Sequence, residues 1–472
     1  MRSFMPARSV TRAAGLAVGL TAALSLAACS GSSGNSGGGS AESSNAAPGP
    51  SALSSAAGVT EVTFWEASGG TGGVELNKLV SQFNAAHAGK IKVTAVYQGT
   101  YPDLLAKYSA SVRSGGTPSM VMMYDVGTGF MDDADQTVSA QALAAANPGS
   151  LNLADLQPAA KAYYSVGGKL LSAPFNTSTP LLYVNETLLA KAGLSASTPL
   201  SSLDEISAAA AKVKGATGVP GFTEPYDGWY VEQLTSSSGS TLCNPGNGRS
   251  GTRVGSIDLT APVQLKALSS VANMYRSGDA LDTGTDSNEA LSAFDAGKVA
   301  MMFNSSGAAT QVRLSAGFNW RVLPYPVSGP KATSGPIIGG ASLWVNRVGH
   351  SPAEEEASWQ FISFLDSAAS QAAFSQATGY VPINTGSPAL ASYQATLTKQ
   401  PELKTALTQL EASPTATATA GCLSGALPTV RNDVISALQS AFGGSQSLAS
   451  AMTAAQTKAD GDISNYLQQV GQ

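Results

Sequence analysis

The chain has 472 residues, of which only 12 % are charged, and its 26 Lys and Arg against 31 Asp and Glu give a formal net charge of −5. This length is enough for several hydrophobic cores, and an acidic chain argues against a nucleic-acid partner. Two histidines, His87 and His350, are too few for a multi-histidine metal site, so we expect no metal.

The N-terminus has the features of a secretion signal. Arg2, Arg8 and Arg12 precede an apolar stretch that is too short to span a bilayer comfortably. The stretch ends in Leu-Ala-Ala followed by Cys29, which resembles a bacterial lipobox, although a plain secretory peptide with a chance cysteine is the alternative. We expect a signal peptide over 1–28 and lipidation of Cys29. The mature chain then has 23 basic and 31 acidic side chains, a net charge of −8.

A low-complexity tract of Gly, Ser and Ala follows over 29–58. It has almost no apolar side chains to bury, which is typical of a flexible linker. The folded body is therefore expected to begin near Val59, attached by lipid to the outer face of the bacterial cell membrane.

The body begins with alternating strands and helices. Residues 61–65 and 90–97 have the alternation of strands, and 119–124 is a continuously apolar strand. Apolar residues with helical spacing occupy the intervening segments, 74–86 and 102–112. This β-α-β-α-β order predicts a mostly parallel sheet covered by helices.

Helices and short strands continue to the C-terminus. Ser351, followed by Pro352 and by Glu354 at the third helical position, is a strong helix start. The whole pattern predicts an α/β protein, and because a body of this length is more than one hydrophobic core usually serves, we expect two α/β lobes. The other predicted elements are helices over 203–213, 262–275, 288–296 and 448–467 and a strand over 298–303.

Cys243 and Cys422 are the two cysteines of the body. Outside the cytoplasm disulfides are stable, and the two form an even pair once Cys29 is lipidated. We expect a disulfide between them, with two free buried thiols as the alternative.

Six groups of motifs lie in order along residues 60–440. They are 62–65 with Phe83-Asn84, 97–101, 124–128, 173–185, 337–344 and 378–383. Their order resembles that of the extracytoplasmic solute-binding proteins of ATP-binding-cassette importers. Pro-Phe-Asn-Thr-Ser-Thr-Pro over 174–180 and Ile-Ile-Gly-Gly-Ala-Ser-Leu-Trp over 337–344 are similar to the subgroup that binds glycerol-3-phosphate and glycerophosphodiesters.

The resemblance implies a two-lobed periplasmic-binding-protein fold. Three segments, near 177–180, 336–340 and 382–386, are expected to cross between the lobes, which close on a ligand like a hinge. The implied lobes are 59–178 plus 340–384 and 179–339 plus 385–472.

The resemblance also implies the residues that line the cleft. The family can have Glu at the position of Asp125, and either Trp or an aliphatic residue at Tyr226, which bounds the glycerol end of the ligand. The implied ligand-binding residues are Tyr101, Asp125, Ser178, Tyr226, Trp229, Ser305, Gly340, Tyr380 and Arg431.

The chemistry of these residues suits such a ligand. The planar fork of Arg431 matches phosphate oxygens, and Ser305 precedes a helix N-terminus, where backbone N–H groups bind anions. Gly340 would let the backbone approach the ligand, and Asp125 follows a buried strand, where α/β sheets place ligand contacts. Each has a structural alternative: an ion pair for Arg431, N-capping for Ser305 and Asp125, and a hinge turn for Gly340. The four aromatic residues would face a polyol or a choline-like cation, or else only pack.

The leading hypothesis is a lipid-anchored, monomeric receptor without a cofactor. It would capture glycerol-3-phosphate or a diester such as glycerophosphocholine by lobe closure and deliver it to a membrane permease. A receptor for a neutral sugar or oligosaccharide is the first alternative. A secreted phosphodiesterase or glycosidase is the second, but clustered metal ligands or paired carboxylates are not evident in the sequence, so we expect no enzyme.

Overall fold

The computed structural model describes residues 46–471, so the predicted signal peptide and Cys29 lie outside the described residues. Within this part of the chain the strands are β1 (Thr60–Glu66), β2 (Ile91–Tyr97), β3 (Met120–Tyr124), β4 (Thr137–Val138), β5 (Ser165–Val166), β6 (Lys169–Leu170), β7 (Ala173–Pro174), β8 (Pro180–Asn185), β9 (Phe222–Thr223), β10 (Cys243–Asn244), β11 (Ser256–Ile257), β12 (Met301–Ser305), β13 (Trp320–Pro324) and β14 (Ala341–Asn346).

The helices of the same residues are α1 (Pro50–Ser54), α2 (Gly70–Ala86), α3 (Tyr101–Ser114), α4 (Thr128–Ala134), α5 (Ala140–Ala146), α6 (Pro158–Tyr163), α7 (Glu186–Lys191), α8 (Leu203–Thr217), α9 (Gly228–Ser237), α10 (Pro262–Arg276), α11 (Ser287–Asp295), α12 (Ala309–Ser315), α13 (Pro352–Leu365), α14 (Ala368–Thr378), α15 (Ala391–Lys399), α16 (Pro401–Ala412), α17 (Leu427–Phe442) and α18 (Leu448–Gln469).

The first sheet has the strand order β2-β1-β3-β14-β4, with β7 also paired to β14. Strand β1 runs parallel to β2 and β3, as the β-α-β-α-β pattern predicts, whereas β14 joins antiparallel to β3. The first four residues of β3 are all buried. A strand covered on both faces is expected to be apolar throughout, which is why 119–124 lacks the alternation of a half-exposed strand.

The second sheet has the order β13-β8-β12-β9. Strand β8 is antiparallel to both β12 and β13, and β9 is parallel to β12. Strands β9, β12 and β13 therefore run in one direction, and their C-terminal ends meet at the same edge of the sheet. Chain segments that follow these three strands are placed where α/β proteins bind ligands.

Three chain segments that connect the two sheets lie side by side. Ser178, between β7 and β8, exchanges two backbone hydrogen bonds of 2.9 Å with Gly339, between β13 and β14. The N–H of Val381, beyond α14, donates to the carbonyl of Thr177 at 2.8 Å. The two-lobed α/β class predicted from the sequence is confirmed, and the exact bounds of the lobes stay a prediction.

The folded region begins earlier than the sequence predicted. Residues 46–58 were assigned to the flexible linker, but α1 packs against α13, and Leu53 is partly buried against the first hydrophobic core. The carbonyl of Pro48 accepts a hydrogen bond of 3.0 Å from Asn147 Nδ2. A few apolar and backbone contacts thus suffice to fix a segment whose composition alone is typical of a linker.

One helix begins earlier than the sequence predicted, and the expected disulfide is present. Helix α2 begins at Gly70, inside the glycine run that was expected to precede it, because the absence of a side chain at Gly73 leaves room for the Ser68 carbonyl: a Cβ there would lie 2.4 Å from that oxygen. Cys243 and Cys422 are joined by a disulfide, which ties β10 to the loop before α17.

Candidate ligand-binding site

A buried ion-pair cluster links the two lobes. Asp125 immediately follows β3 of the first sheet, whereas Glu232 and Arg431 lie on α9 and α17 beside the second. Arg431 Nε and Nη2 donate to the two carboxylate oxygens of Glu232, at 2.6 and 3.0 Å. Arg431 Nη1 lies 3.6 Å from Asp125 Oδ1. Arg431 therefore contacts two carboxylates: that of Asp125, another predicted site residue, and that of Glu232, which the sequence did not indicate.

The electrostatics of the cluster keep the guanidinium charged. Burial opposes the charge of Arg431, but Glu232 and Asp125 outweigh this effect and hold the pKa of Arg431 well above its usual range. Burial raises the pKa of Asp125 to about 6, while the charge of Arg431 limits the rise. Asp125 Oδ1 also accepts a hydrogen bond of 2.7 Å from the Val126 N–H. The cluster offers one buried cation that is surrounded by carboxylates.

Tyrosine side chains form a wall beside the cluster. The ring of Tyr101, at the start of α3, stacks on Tyr124 with centroids 5.3 Å apart and an interplanar angle of 9°. Its hydroxyl accepts a hydrogen bond of 2.7 Å from Asn176 Nδ2. Burial raises the pKa of Tyr380, which shares side-chain hydrogen bonds with Tyr101 and Asn176. The predicted residues Tyr101 and Tyr380 thus belong to one hydrogen-bonded group on the first-lobe side.

The crossing segments supply the next part of the site. Gly340 has a φ of +100°, and a Cβ on it would lie 1.9 Å from the Asn176 carbonyl oxygen, so only glycine fits. Its own carbonyl accepts the Asp125 N–H at 2.9 Å. Ser178 Oγ and the Trp229 indole both lie against Gly339, since a Cβ there would be 2.8 and 2.9 Å from them. Ser178 and Trp229 therefore lie at the Gly339–Gly340 crossing, where the Gly340 carbonyl holds the Asp125 N–H.

Several buried polar atoms in this region have no hydrogen-bond partner among the described residues. They are Trp229 Nε1, Asn176 Oδ1 and Thr177 Oγ1. Unsatisfied buried donors and acceptors are rare in folded proteins because each costs free energy. These atoms belong to residues that lie against Gly339 and Gly340, and they supply one donor and two acceptors for a polar ligand.

Ser305 lies at the C-terminal end of β12, at the edge of the second sheet where β9 and β13 also end. Its Oγ accepts a hydrogen bond of 3.1 Å from the Gly307 N–H and so caps the short 3₁₀ turn that follows. Ser305 therefore acts as an N-cap, which is the structural alternative considered for it above. Tyr380 covers this turn, because a Cβ on Gly307 would lie 2.9 Å from the Tyr380 ring.

Tyr226 belongs to an aromatic cluster of the second lobe. Its ring packs against Tyr275 and Phe442, with centroids 5.5 and 5.6 Å away. Phe442 is three helical turns from Arg431 along α17, or about 16 Å. The ring of Tyr226 is thus held by aromatic side chains of α10 and α17, and its place in the ligand site stays a prediction.

A second set of contacts closes the lobes at the rim of the cleft. Asp133 on α4 accepts hydrogen bonds from Arg253 and, at 2.9 Å, from the Tyr466 hydroxyl. Arg249 Nη1 donates to the Tyr163 carbonyl at 2.6 Å, and its guanidinium lies 4.8 Å from the centre of the Tyr163 ring. A cavity of about 170 Å³ lies between these segments. The described conformation is therefore one in which the lobes are in contact.

Two other properties bear on the kind of site. Among residues 46–471, His, Cys, Asp and Glu side chains do not cluster in any group of three or more suited to a metal ion. Over the same residues, every helix is too short or too polar to cross a bilayer.

A family model described as bacterial extracellular solute-binding protein matches residues 78–405, more than half of the chain. The chain belongs to this family. It is 32 % identical over 409 residues to the sn-glycerol-3-phosphate-binding periplasmic protein UgpB of Yersinia enterocolitica, which covers 85 % of this chain and 92 % of the relative. The Escherichia coli K12 protein of the same name is 30 % identical over 397 residues, covering 83 % of this chain and 90 % of its own.

Solved structures of similar fold agree with this membership. UgpB of Mycobacterium tuberculosis, in complex with glycerophosphocholine, superimposes with a TM-score of 0.72 at 21 % identity, over 86 % of this chain and 98 % of that one. Maltose-bound MalE3 of T. maritima gives a TM-score of 0.70 at 19 % identity, over 85 % and 99 % of the two chains. At these identities the likeness establishes the two-lobed fold.

Proposed function

We propose that the chain is the solute-binding protein of an ATP-binding-cassette importer and that it captures glycerol-3-phosphate or a glycerophosphodiester. The observation that carries the proposal is the buried, charged Arg431 at the junction of the two lobes. A guanidinium is suited to a phosphate group, and the curated relatives at about a third identity are named glycerol-3-phosphate-binding proteins.

The roles proposed for the site residues follow from the chemistry of their side chains. Arg431 would contact the phosphate, with hydroxyls from Ser178 and Ser305 beside it. Asp125 and Tyr101 would bind the glycerol hydroxyls, because a carboxylate accepts and a phenol both donates and accepts hydrogen bonds. The indole of Trp229 would pack on the carbon skeleton and use its unpartnered N–H. The backbone of Gly340 and the ring of Tyr380 would complete the enclosure.

The location and partners belong to the same proposal. We expect a monomer that is attached to the outer face of the cell membrane through lipidated Cys29 and that delivers its ligand to the membrane permease. The support is the Leu-Ala-Ala-Cys sequence at the end of an apolar signal segment. No catalytic step is proposed, in keeping with relatives that are named binding proteins.

A neutral sugar or oligosaccharide is the second candidate. The observation in its favour is that Glu232 and Asp125 already surround the Arg431 guanidinium, so that a phosphate has to share it. Hydroxyls of a sugar would bind to the same carboxylates and rings without adding charge.

The decisive experiment is calorimetric titration of the purified protein with glycerol-3-phosphate, glycerophosphocholine and maltose. We expect binding of a glycerophospho compound, and a loss of about 2 kcal/mol or more of binding free energy in Arg431→Ala. Arg313→Ala is the matched control, because Arg313 also pairs with a buried glutamate, Glu402, but lies outside the site. Binding of maltose alone, or equal binding by Arg431→Ala and the native chain, would contradict the proposed ligand.

A further inference from the structure

The contact between Glu232 and Arg431 defines how the site presents its positive charge. Of the five N–H donors of a guanidinium, those on Nε and Nη2 form the edge that usually grips a carboxylate or phosphate with two parallel bonds. In this protein that edge is taken by both oxygens of Glu232, at 2.6 and 3.0 Å. The Nη1 side remains, and it faces Asp125 at 3.6 Å.

The sequence of α9 builds this contact in two places one turn apart. Gly228 and Glu232 are four residues apart and therefore lie on the same helical face. A Cβ on Gly228 would lie 2.9 Å from Arg431 Cγ, so the glycine lets the helix backbone approach the stem of the arginine. Glu232 then holds the charged end. Both ends of the Arg431 side chain are thus fixed by one face of α9.

The charges around Arg431 leave an excess of carboxylates. Those that act on it are Glu232, Asp125 and Asp227, and the phenols of Tyr124 and Tyr163 also lie within reach of its charge. A phosphate that binds here adds its own negative charge to this set. Each additional unit of charge several ångströms from a carboxylate costs energy in a protein interior, where the dielectric is low.

We propose that Glu232 positions Arg431 and sets the ligand charge that the site accepts, favouring a singly charged phosphodiester over a doubly charged phosphomonoester. This inference rests on the proposed function. A diester keeps one negative charge at all pH values near neutrality, whereas a phosphomonoester gains most of a second charge because its second pKa is about 6. Glu232 is a positioning residue, since it acts on the ligand through Arg431.

The test compares two ligands that share a glycerol and differ in phosphate charge: glycerophosphoglycerol and glycerol-3-phosphate. At pH 7.5 the native protein is expected to bind the diester about tenfold more tightly or better, the effect of roughly one extra charge. At pH 5.5 the ratio should fall, because the monoester takes up a proton. Protonation of Asp125, whose pKa burial raises to about 6, lowers the ratio in the same direction, because a carboxylate repels the doubly charged ligand more than the singly charged one.

The variant Glu232→Gln removes the charge but keeps the shape and one hydrogen-bonding oxygen. Its affinity for glycerol-3-phosphate at pH 7.5 is expected to rise and the ratio to fall towards one, while Glu232→Asp restores the preference. Glu402→Gln is the matched control, because Glu402 is also a buried partner of an arginine but lies outside the site, and its ratio should equal that of the native chain.

The possible failures are distinguishable. If the native protein binds neither phosphate ligand, the proposed function fails and this inference with it. If both bind, and the ratio is the same in Glu232→Gln and the native chain, only the inference is overturned. Should Glu232→Gln not fold, the native protein decides the matter: a ratio that does not change between pH 5.5 and 7.5 would overturn the inference, and a falling ratio at low pH would support it.

Discussion

At both the centre and the rim of the cleft, an arginine pairs with a carboxylate, but the two pairs differ in how much water reaches them. At the centre, the side chain of Arg431 is 13 % exposed and its partner Glu232 is 3 % exposed. At the rim, the side chain of Arg253 is 43 % exposed while it pairs with Asp133. Water weakens the attraction between two opposite charges. The electrostatic interaction is therefore expected to be stronger in the buried pair of Arg431 and Glu232 than in the half-exposed pair of Arg253 and Asp133.

This difference separates two tasks. The buried charges at the centre shift pKa values and would bind a ligand, whereas the half-exposed pair of Arg253 and Asp133 at the rim only helps to hold the lobes together. The backbone shows the same contrast. At the centre Gly340 meets the backbone of Asn176, whereas at the rim Gly425 meets the ring and hydroxyl of the Tyr466 side chain rather than backbone.

The largest effect is expected from Gly340→Ala. The added Cβ would lie 1.9 Å from a backbone oxygen, and the φ of +100° is itself unfavourable for alanine. We expect a loss of about 4 kcal/mol or more in the free energy of unfolding, measured by urea denaturation, because neither crossing segment can move freely. Gly425→Ala at the rim should cost only about 1 kcal/mol. Equal losses in the two variants would show that the crossing is less constrained than its geometry indicates.

The next largest effect concerns Glu224, a buried carboxyl just beyond β9. Burial raises its pKa from 4.5 to about 8, and the charge of Asp227 adds to the shift. The folded state therefore binds a proton more tightly than the unfolded state, so stability is lost as the pH rises from about 4.5 to 8. Glu224→Gln should gain about 3 kcal/mol relative to the native chain over this range.

The measurement is the free energy of unfolding at pH 5 and at pH 8. The exposed residue Glu289 provides the control, since Glu289→Gln should leave the difference between the two pH values unchanged. If Glu224→Gln follows the pH dependence of the native chain, the Glu224 carboxyl is not the group that takes up the proton.

Regular elements could be predicted from the sequence because their signals are local. The continuous apolar run at 119–124 and the helix start at Ser351 depend only on nearby residues, and both appear as β3 and α13. The position of Asp125 at the end of a strand follows from the same pattern. Its role beside Arg431 came from the family resemblance and remains a proposal.

The parts that could not be predicted depend on long-range packing. Glu232 pairs with a residue 199 positions away, so no local pattern identifies it. The direction of the Tyr226 ring is set by Tyr275 and Phe442, which are distant in sequence. The packing of α1 on α13 likewise depends on a surface that the low-complexity composition of residues 46–58 does not reveal.

The smallest effect is expected at the rim, from Arg253→Ala. Its half-exposed guanidinium pairs with Asp133, which keeps the Tyr466 hydroxyl as a second partner at 2.9 Å. The free energy of unfolding should fall by less than about 1 kcal/mol. Ligand dissociation, followed by stopped flow, should accelerate by no more than about threefold, and about 1 M salt should abolish the difference because it screens exposed charges. An effect as large as that of Arg431→Ala would mean that the rim, and not only the buried centre, determines how tightly the closed lobes hold a ligand.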